Sequence, residues 1–304
     1  MTQQPAVLIT GASTGIGHYL AVYLAARNYH VYATARKDQD LEQLATIDNV
    51  SPIRLDVRKP DQIASARDYI EAQQTGLHGL INNAGIGSLG LLASWSEAEL
   101  HDIFDINVFG VQRVTMAFLP MLIAAQGRVI NIGSQGGILN KPGYGPYTMT
   151  KHALEAYTST LAMELEPHGV NVSIVQPGGV VSEILASSHQ QTLERCQRAD
   201  PWFEDQAEQI RQAVQEQAAA SDNSNSNSTQ ALSSPEIVAI AVEDALRSNN
   251  PKPCYLVGTR TEGDRVLNRL IEKLLEENNN PQHQYSRAQL IELLDYHLQR
   301  QRRD

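Results

Sequence analysis

Ser134, Tyr147 and Lys151 bring a hydroxyl, a phenol and an ammonium into one short stretch. If a helix begins near Pro146, Tyr147 and Lys151 lie one turn apart on the same face. A phenol is a poor acid or base at neutral pH, with an unperturbed pKa of about 10. A neighbouring ammonium favours the phenolate and brings it nearer the range useful for proton transfer. Ser134 follows the strand-like run Arg128–Gly133, so its hydroxyl can face the same site. The chain carries its own control: Tyr144 has Thr148 four residues on and Tyr157 has Leu161, so only Tyr147 has the paired lysine. Tyr144 is then expected to line or flank a substrate site. Such a centre moves protons and needs a partner that carries electrons.

The elements that must position these groups begin at the N-terminus. The apolar run Ala6–Thr10 leads at once into Gly11-Ala-Ser-Thr-Gly-Ile-Gly17, followed by a helical pattern from His18 to Ala26. Strand, glycine turn and helix form the context in which backbone N–H groups cradle a pyrophosphate. The spacing is T-G-x-x-x-G-x-G rather than G-x-G-x-x-G. A second strand, His30–Ala35, ends beside Arg36 and Lys37, and no carboxylate follows until Asp38. An acidic residue there accepts from the ribose 2′-OH of NAD, whereas an arginine suits the 2′-phosphate of NADP. The expectation is NADP(H) in preference to NAD(H), with Arg36 the better phosphate partner because its guanidinium can bind bidentately.

Further strands are expected at Ser51–Val57 and Gly79–Gly85. Asp56 falls at the C-terminal end of the first, where ligands collect in open α/β sheets. A long helical region from Glu97 to Ala125 contains Asn107 within an otherwise apolar row. A helix from Tyr147 through Glu166 then leads to a strand at Val170–Gln176, broken by Pro177-Gly-Gly179. Strands alternating with helices over this length predict a single Rossmann-type, doubly wound parallel sheet with helices on both faces.

Residues 180–234 depart from that rhythm. Phe203, Ala207, Ile210, Val214 and Ala218 recur at helical spacing, and Ser221–Ser228 is a polar low-complexity run expected to lack fixed structure. The insertion reads either as a surface loop or as a lid over the substrate. A helix follows from Pro235 to Arg247, then an edge strand at Cys254–Gly258. Residues 261–304 form a helical extension with apolar stripes at Val266–Leu275 and Leu290–Leu298. Residues 1–260 are thus expected to form the catalytic domain.

The 24 basic and 34 acidic side chains give a formal charge of −10. That balance, without a basic stripe, argues against nucleic acid or an anionic membrane surface. Two isolated cysteines supply neither a disulfide framework nor a zinc site, and no metal is expected. The uninterrupted apolar run Ala117–Ala125 is shorter than the roughly 20 residues that span a bilayer. The expectation is a cytoplasmic protein.

Taken together, T-G-x-x-x-G-x-G at Thr10–Gly17, N-N-A-G at Asn82–Gly85, Asn107, Ser134, Y-x-x-x-K at Tyr147–Lys151 and P-G at Pro177-Gly178 resemble the classical short-chain dehydrogenase/reductase family. The resemblance covers Val7 through Gly258. It implies that Tyr147 is the general acid in reduction and the base in oxidation, and that Lys151 holds the nicotinamide ribose. It implies that Ser134 binds the substrate oxygen and that Asn107 holds a water of a proton relay. By the same resemblance Gly11, Ser13, Thr14, Gly15, Ile16 and Gly17 surround the phosphates. Asp56 and Val57 reach the adenine, and Asn83, Ala84 and Gly85 border its ribose. Pro177, Gly178, Val180 and Ser182 border the nicotinamide, Ser182 standing where a threonine is usual. The run ending at Arg36 is similar to NADP-preferring members related to hydroxysteroid and retinol dehydrogenases.

Ile138, Tyr144, Ile184, Leu185 and Trp202 suggest an apolar pocket beside Ser134 and Tyr147. The expected substrate is a hydrophobic carbonyl or alcohol, steroid-like, retinoid-like or long-chain. Two other readings stay open: a reductase of carrier-bound 3-oxoacyl chains, and a non-catalytic NADP(H)-sensing scaffold. The implied assembly is a homodimer or homotetramer.

Overall fold

The computed structural model describes residues 4–180, 188–222 and 233–301. The chain divides into two compact units, Met1–Arg260 and Thr261–Asp304.

The strands of the first unit are β1 (Ala6–Ile9), β2 (His30–Ala35), β3 (Val50–Arg54), β4 (Gly79–Asn82), β5 (Arg128–Ile132), β6 (Asn171–Pro177) and β7 (Cys254–Val257). They form one seven-stranded sheet in the order β3-β2-β1-β4-β5-β6-β7, and every pairing is parallel. Strands buried on both faces need continuous apolar runs, and Ala6-Val-Leu-Ile9 is buried throughout.

Helices cover both faces. Alternate residues of the strands choose the side, since successive side chains point in opposite directions. Val7, Ile9, Val31, Ala33, Ile81 and Ile130 share a core with Leu20 and Leu24 of α1 (Gly15–Ala25), Leu44 of α2 (Asp38–Leu44) and Val238 and Val242 of α9 (Glu236–Arg247). Leu8, Tyr32, Leu80 and Val129 face the other way. They meet Ile63 and Ile70 of α3 (Pro60–Ala72), Phe118 and Leu122 of α5 (Gly110–Ala125), and Leu161 of α6 (Gly145–Leu165).

The helical region begun by α4 (Glu97–Phe104) runs into α5 through one π turn, Asp105–Phe109. Glu97–Ala125 is long and apolar enough to cross a membrane by length and composition. Its apolar character has a use here: Val111, Val114, Phe118 and Leu122 are buried in the core.

Beyond β6 the described chain resumes with α7 (His189–Gln197), a 3-10 turn at Pro201–Phe203, and α8 (Glu204–Asp222). Neither α2 nor α7 has the apolar periodicity that marks the others. Most of the polar run Ser221–Ser228 lies outside the described residues. In the second unit, α10 (Arg260–Asn278) is joined to α11 (Arg287–Gln301) by a turn that Asn278 closes. Its Oδ1 accepts from Tyr285 N at 2.9 Å, and its Nδ2 donates to Tyr285 O at 3.0 Å. Leu267, Leu270, Ile271, Leu274 and Leu275 of α10 are about half exposed.

Candidate active site

The strand order reverses between β1 and β4, the place where open α/β sheets gather ligands at their C-terminal ends. Gly11 leaves β1 at φ +66°, and a Cβ there would stand 2.8 Å from Ala84 Cα. Gly17 is as constrained, for its Cβ would meet Gly11 O at 2.3 Å and Asn83 Nδ2 at 2.4 Å. The glycine turn therefore presses against the residues after β4. Asn83 Nδ2 donates to Thr10 O at 3.0 Å and Gly11 O at 2.9 Å, while Asn83 N and Ala84 N donate to Thr10 Oγ1, both at 3.0 Å. Gly11 N donates to Thr34 Oγ1 at 3.1 Å. The side chain of Asn83 is thus spent on holding the turn, and Gly17 serves close packing.

A cleft of about 250 Å³ opens above this corner. Gly11, Ser13, Thr14, Gly15 and Ile16 form one wall, Ala35, Arg36, Leu55, Asp56 and Val57 another, and Asn83, Ala84, Gly85, Ile86 and Ile106 the floor. Ala35, Leu55, Ile86 and Ile106 escaped the sequence reading because apolar lining has no motif. The first turn of α1 contains no acidic residue, and Thr14 makes no side-chain cap. The unpaired N–H groups and positive dipole end of that helix suit an anion. The donor set therefore fits a dinucleotide phosphate.

At the far end of the cleft, Asp38 is paired with Arg54, whose NH1 also donates to Arg36 O at 2.6 Å. The first carboxylate after β2 is thereby turned away and Arg36 is left as the charged lining residue on that strand end. Lys37 is exposed at the start of α2 and lies outside the lining. Asp56 is gripped by Arg58, through Nε at 3.1 Å and NH2 at 2.9 Å. The Arg58 hydrogen bonds hold its carboxyl below the usual range against the cost of burial.

Tyr147 and Lys151 stand one turn apart on α6, which opens with Pro146 in its first turn. Lys151 is 7 % exposed, and its Nζ donates to Ile132 O at 2.8 Å. Burial lowers its pKa to about 8, partly opposed by Glu155. Burial pushes the Tyr147 phenol up, a hydrogen bond with Ser134 pulls it down, and Tyr144 raises it again. Among the contacts that shift this phenol the Ser134 hydroxyl is the lowering one, while the Lys151 ammonium is tied to a strand carbonyl and lies over the Tyr147 ring, 5.7 Å from its centroid. Ser134 is held by its own turn, where its Oγ accepts from Gly136 N at 3.0 Å.

Asn107 sits in the π turn, 2 % exposed. π turns inside α-helices are rare and frequent at functional sites. The Asn107 Oδ1 accepts from Ile86 N at 2.8 Å, and Nδ2 donates to Ile86 O at 2.9 Å and Thr150 Oγ1 at 3.1 Å. Thr150 Oγ1 in turn donates to Tyr147 O at 2.7 Å. The amide ties the cleft floor to the turn of helix that carries the phenol, and both of its donors are used by protein.

Ile138 and Tyr144 are half-buried, and Lys141 lies over the Tyr144 ring at 5.2 Å. Pro177 ends β6, Gly178 N donates to Val257 O at 2.9 Å, and Val180 is bridged to Ser233. Ser182, Ile184 and Leu185 lie outside the described residues. Trp202 is corrected: at 87 % exposed, its side chain stands largely in solvent on the short Pro201–Phe203 turn rather than in an enclosed pocket. The sequence reading also passed over a buried polar ladder beside the site. Asn82 Nδ2 donates to Thr115 Oγ1 at 3.0 Å and Asn131 Oδ1 at 2.9 Å, and Asn131 Nδ2 donates to Thr158 Oγ1 at 2.9 Å. The signal was present in Asn131, a lone amide inside an apolar strand. Among the described residues no group of three or more His, Cys, Asp or Glu could hold a metal.

A parallel sheet with a glycine turn at its switch point, and a Ser–Tyr–Lys corner beside it, defines a nucleotide-binding α/β protein. The model of the family described as short chain dehydrogenase matches residues 5–193, and the chain belongs to that family. It is 37% identical over 179 residues to the uncharacterized oxidoreductase YbbO of Escherichia coli (strain K12), covering 58% of this chain and 66% of that protein. It is 35% identical over 218 residues to the mitochondrial D-beta-hydroxybutyrate dehydrogenase of Bos taurus, covering 68% of this chain and 62% of that protein. A short-chain dehydrogenase from Streptomyces avermitilis superposes with a TM-score of 0.74 at 28% identity, over 91% of this chain and 95% of that one. The chain thus spans slightly under two thirds of the length of these curated relatives.

Proposed function

We propose that this chain is an NADP(H)-dependent oxidoreductase that interconverts a carbonyl and an alcohol on a hydrophobic substrate. The observation that carries the reading is the run of hydrogen bonds from Ile86 in the cleft floor, through Asn107 and Thr150, to the backbone of Tyr147. It ties the cleft floor to the backbone of the residue that carries the phenol, as transfer between neighbouring groups requires.

Gly11 through Ile16 and Arg36 hold the dinucleotide, with Lys151 at its nicotinamide ribose. When bound, the cofactor supplies or accepts hydride at the reacting carbon. Tyr147 and Ser134 address the oxygen: in reduction the phenol donates its proton there, and in oxidation the phenolate takes it back. Burial of the phenol favours the protonated form that reduction needs. Leu92, Ile138, Tyr144 and Ile210 supply the apolar side of the site; Leu92 approaches Gly145 and Ile210 approaches Gly143, either side of Tyr144.

NADPH oxidation followed across a panel of ketones and aldehydes, with 3-hydroxybutyrate in the oxidative direction as the small polar control, tests the reading. Turnover confined to long or polycyclic apolar carbonyls is expected. Turnover confined to the short hydroxy acid would remove the substrate class, and no turnover at all would remove the activity. Arg36→Ala is expected to raise KM for NADPH at least tenfold, by loss of a charge-assisted phosphate contact, and to leave KM for NADH within twofold. Equal effects on both would refute the cofactor preference.

A further inference from the structure

Arg195 has no role in the chemistry above, yet it is 3 % exposed. A guanidinium is rarely buried this far unless every direction is occupied. Here Nε donates to Glu99 Oε1 at 3.0 Å, and NH1 donates to Ser88 Oγ at 2.5 Å and Leu89 O at 3.1 Å. The guanidinium face lies over the Trp95 ring, 3.6 Å from its centroid. Glu99 is shared with Arg198, whose NH2 reaches Oε2 at 2.8 Å, and Glu99 Oε2 also accepts from Ser96 N at 2.8 Å in a capping box at the start of α4. Burial opposes the charge on Glu99, but the Ser96 and arginine contacts outweigh it and bring the carboxyl to about 2. Glu99 is therefore ionised at neutral pH.

What this cluster joins gives it a meaning. Ser88–Trp95 is the segment that continues from the cleft floor, two residues past Ile86, and it carries Leu92 against Gly145. Gly90 N donates to Gly143 O at 2.9 Å, coupling that segment to the residue before Tyr144. Gly90 has φ +149°, and a Cβ there would lie 2.9 Å from Arg195 Cδ and 3.0 Å from Trp95 Nε1. Leu89 N donates to Thr192 Oγ1 of α7 at 3.4 Å. Helix α7, the Ser88–Trp95 segment and the Tyr144 turn are therefore fastened at one point.

Resting on the substrate reading above, we infer that Arg195 is a positioning residue for substrate recognition: it fixes α7 and the Ser88–Trp95 segment as one rigid wall beside Tyr144. The wall sets how well a long apolar substrate is held. It leaves proton transfer at Tyr147 to the residues already described.

The test uses the full chain with NADPH and a homologous series of straight-chain aldehydes or ketones of increasing length. Arg195→Lys keeps the charge for Glu99 but loses the planar fork and the stack on Trp95. The double variant Glu99→Gln with Arg195→Met leaves no unpaired buried charge, which guards against simple misfolding. Both are expected to raise KM at least tenfold for the longest substrate, progressively less for shorter ones, with KM for NADPH and kcat within twofold. In a Trp202→Phe background, where Trp95 is the remaining tryptophan, its fluorescence is expected to shift to longer wavelength as the wall loosens. A length-independent fall in kcat, or a parallel rise in KM for NADPH, would show an ordinary fold staple and overturn the inference. So would an unchanged KM across the whole series in both variants. If the unaltered chain turns over no member of the series, the substrate reading itself fails, which is a different result.

Discussion

Two effects compete at the Tyr147 phenol, and their signs give a pH test. Burial raises its pKa above the ordinary tyrosine value and the Ser134 hydrogen bond lowers it. The acid form that serves reduction therefore persists through neutral pH, and reduction is expected to fall only as pH climbs through the raised value. Oxidation, which needs the phenolate, rises with pH over the same range. Ser134→Ala removes the lowering contact, so the rising limb of the kcat/KM profile for oxidation is expected to move to higher pH. An unchanged limb would mean that another group titrates. Tyr147→Phe is expected to keep NADPH binding, measured by nucleotide fluorescence, while kcat drops by about 10²–10⁴-fold, the usual worth of a positioned acid–base group.

The π turn that carries Asn107 is the element on which the site depends. An ordinary α-helical turn would rotate residue 107 off the line between Ile86 and Thr150. Extra local looping lets the amide satisfy both backbone groups of Ile86 while reaching Thr150. Asn107→Ala leaves those groups without partners in a buried setting, at a cost of about 1–3 kcal/mol. Denaturant unfolding is expected to register that loss, and kcat is expected to fall with it because the cleft floor is no longer fastened to α6. Wild-type stability in the variant would show that Ile86 finds other partners.

For the molecule as a whole, the cleft straddles strands from both halves of the sheet, so a ligand there stabilises the entire first unit by linkage. A dinucleotide at 100 times its Kd contributes about 2.7 kcal/mol. Thermal unfolding is expected to move up by several degrees with NADP⁺, and by much less with NAD⁺ at the same concentration. Arg36→Ala should abolish that difference between the two nucleotides. Identical shifts in the unaltered chain would count against the 2′-phosphate role.

Much of this was legible in the linear chain because local physics writes it there. Short apolar runs bounded by turn signals, such as Ala6–Ile9 before its glycine turn, read as buried strands of a sheet covered on both sides. Glycines at 11 and 17 are demanded by backbone approach, and a tyrosine four residues before a lysine on a helix must share its face. Helices α2 and α7 were not legible, since neither shows an apolar stripe; α7 is placed by the buried side chain of Arg195, whose partners lie some hundred residues away in sequence. Trp202 misled because hydrophobic type says nothing about which way a short turn faces.

The sequence by itself determined the strands of the sheet, the glycine turn and the shared helix face of Tyr147 and Lys151, all set by spacings within a few residues. Only the tertiary structure decided that the Lys151 ammonium is tied to the Ile132 carbonyl, that Asn83 and Asn107 are clamps, and that Asp38 pairs with Arg54. Each of those depends on a hydrogen bond or ion pair between residues distant along the chain, and such partners are chosen by packing rather than by spacing.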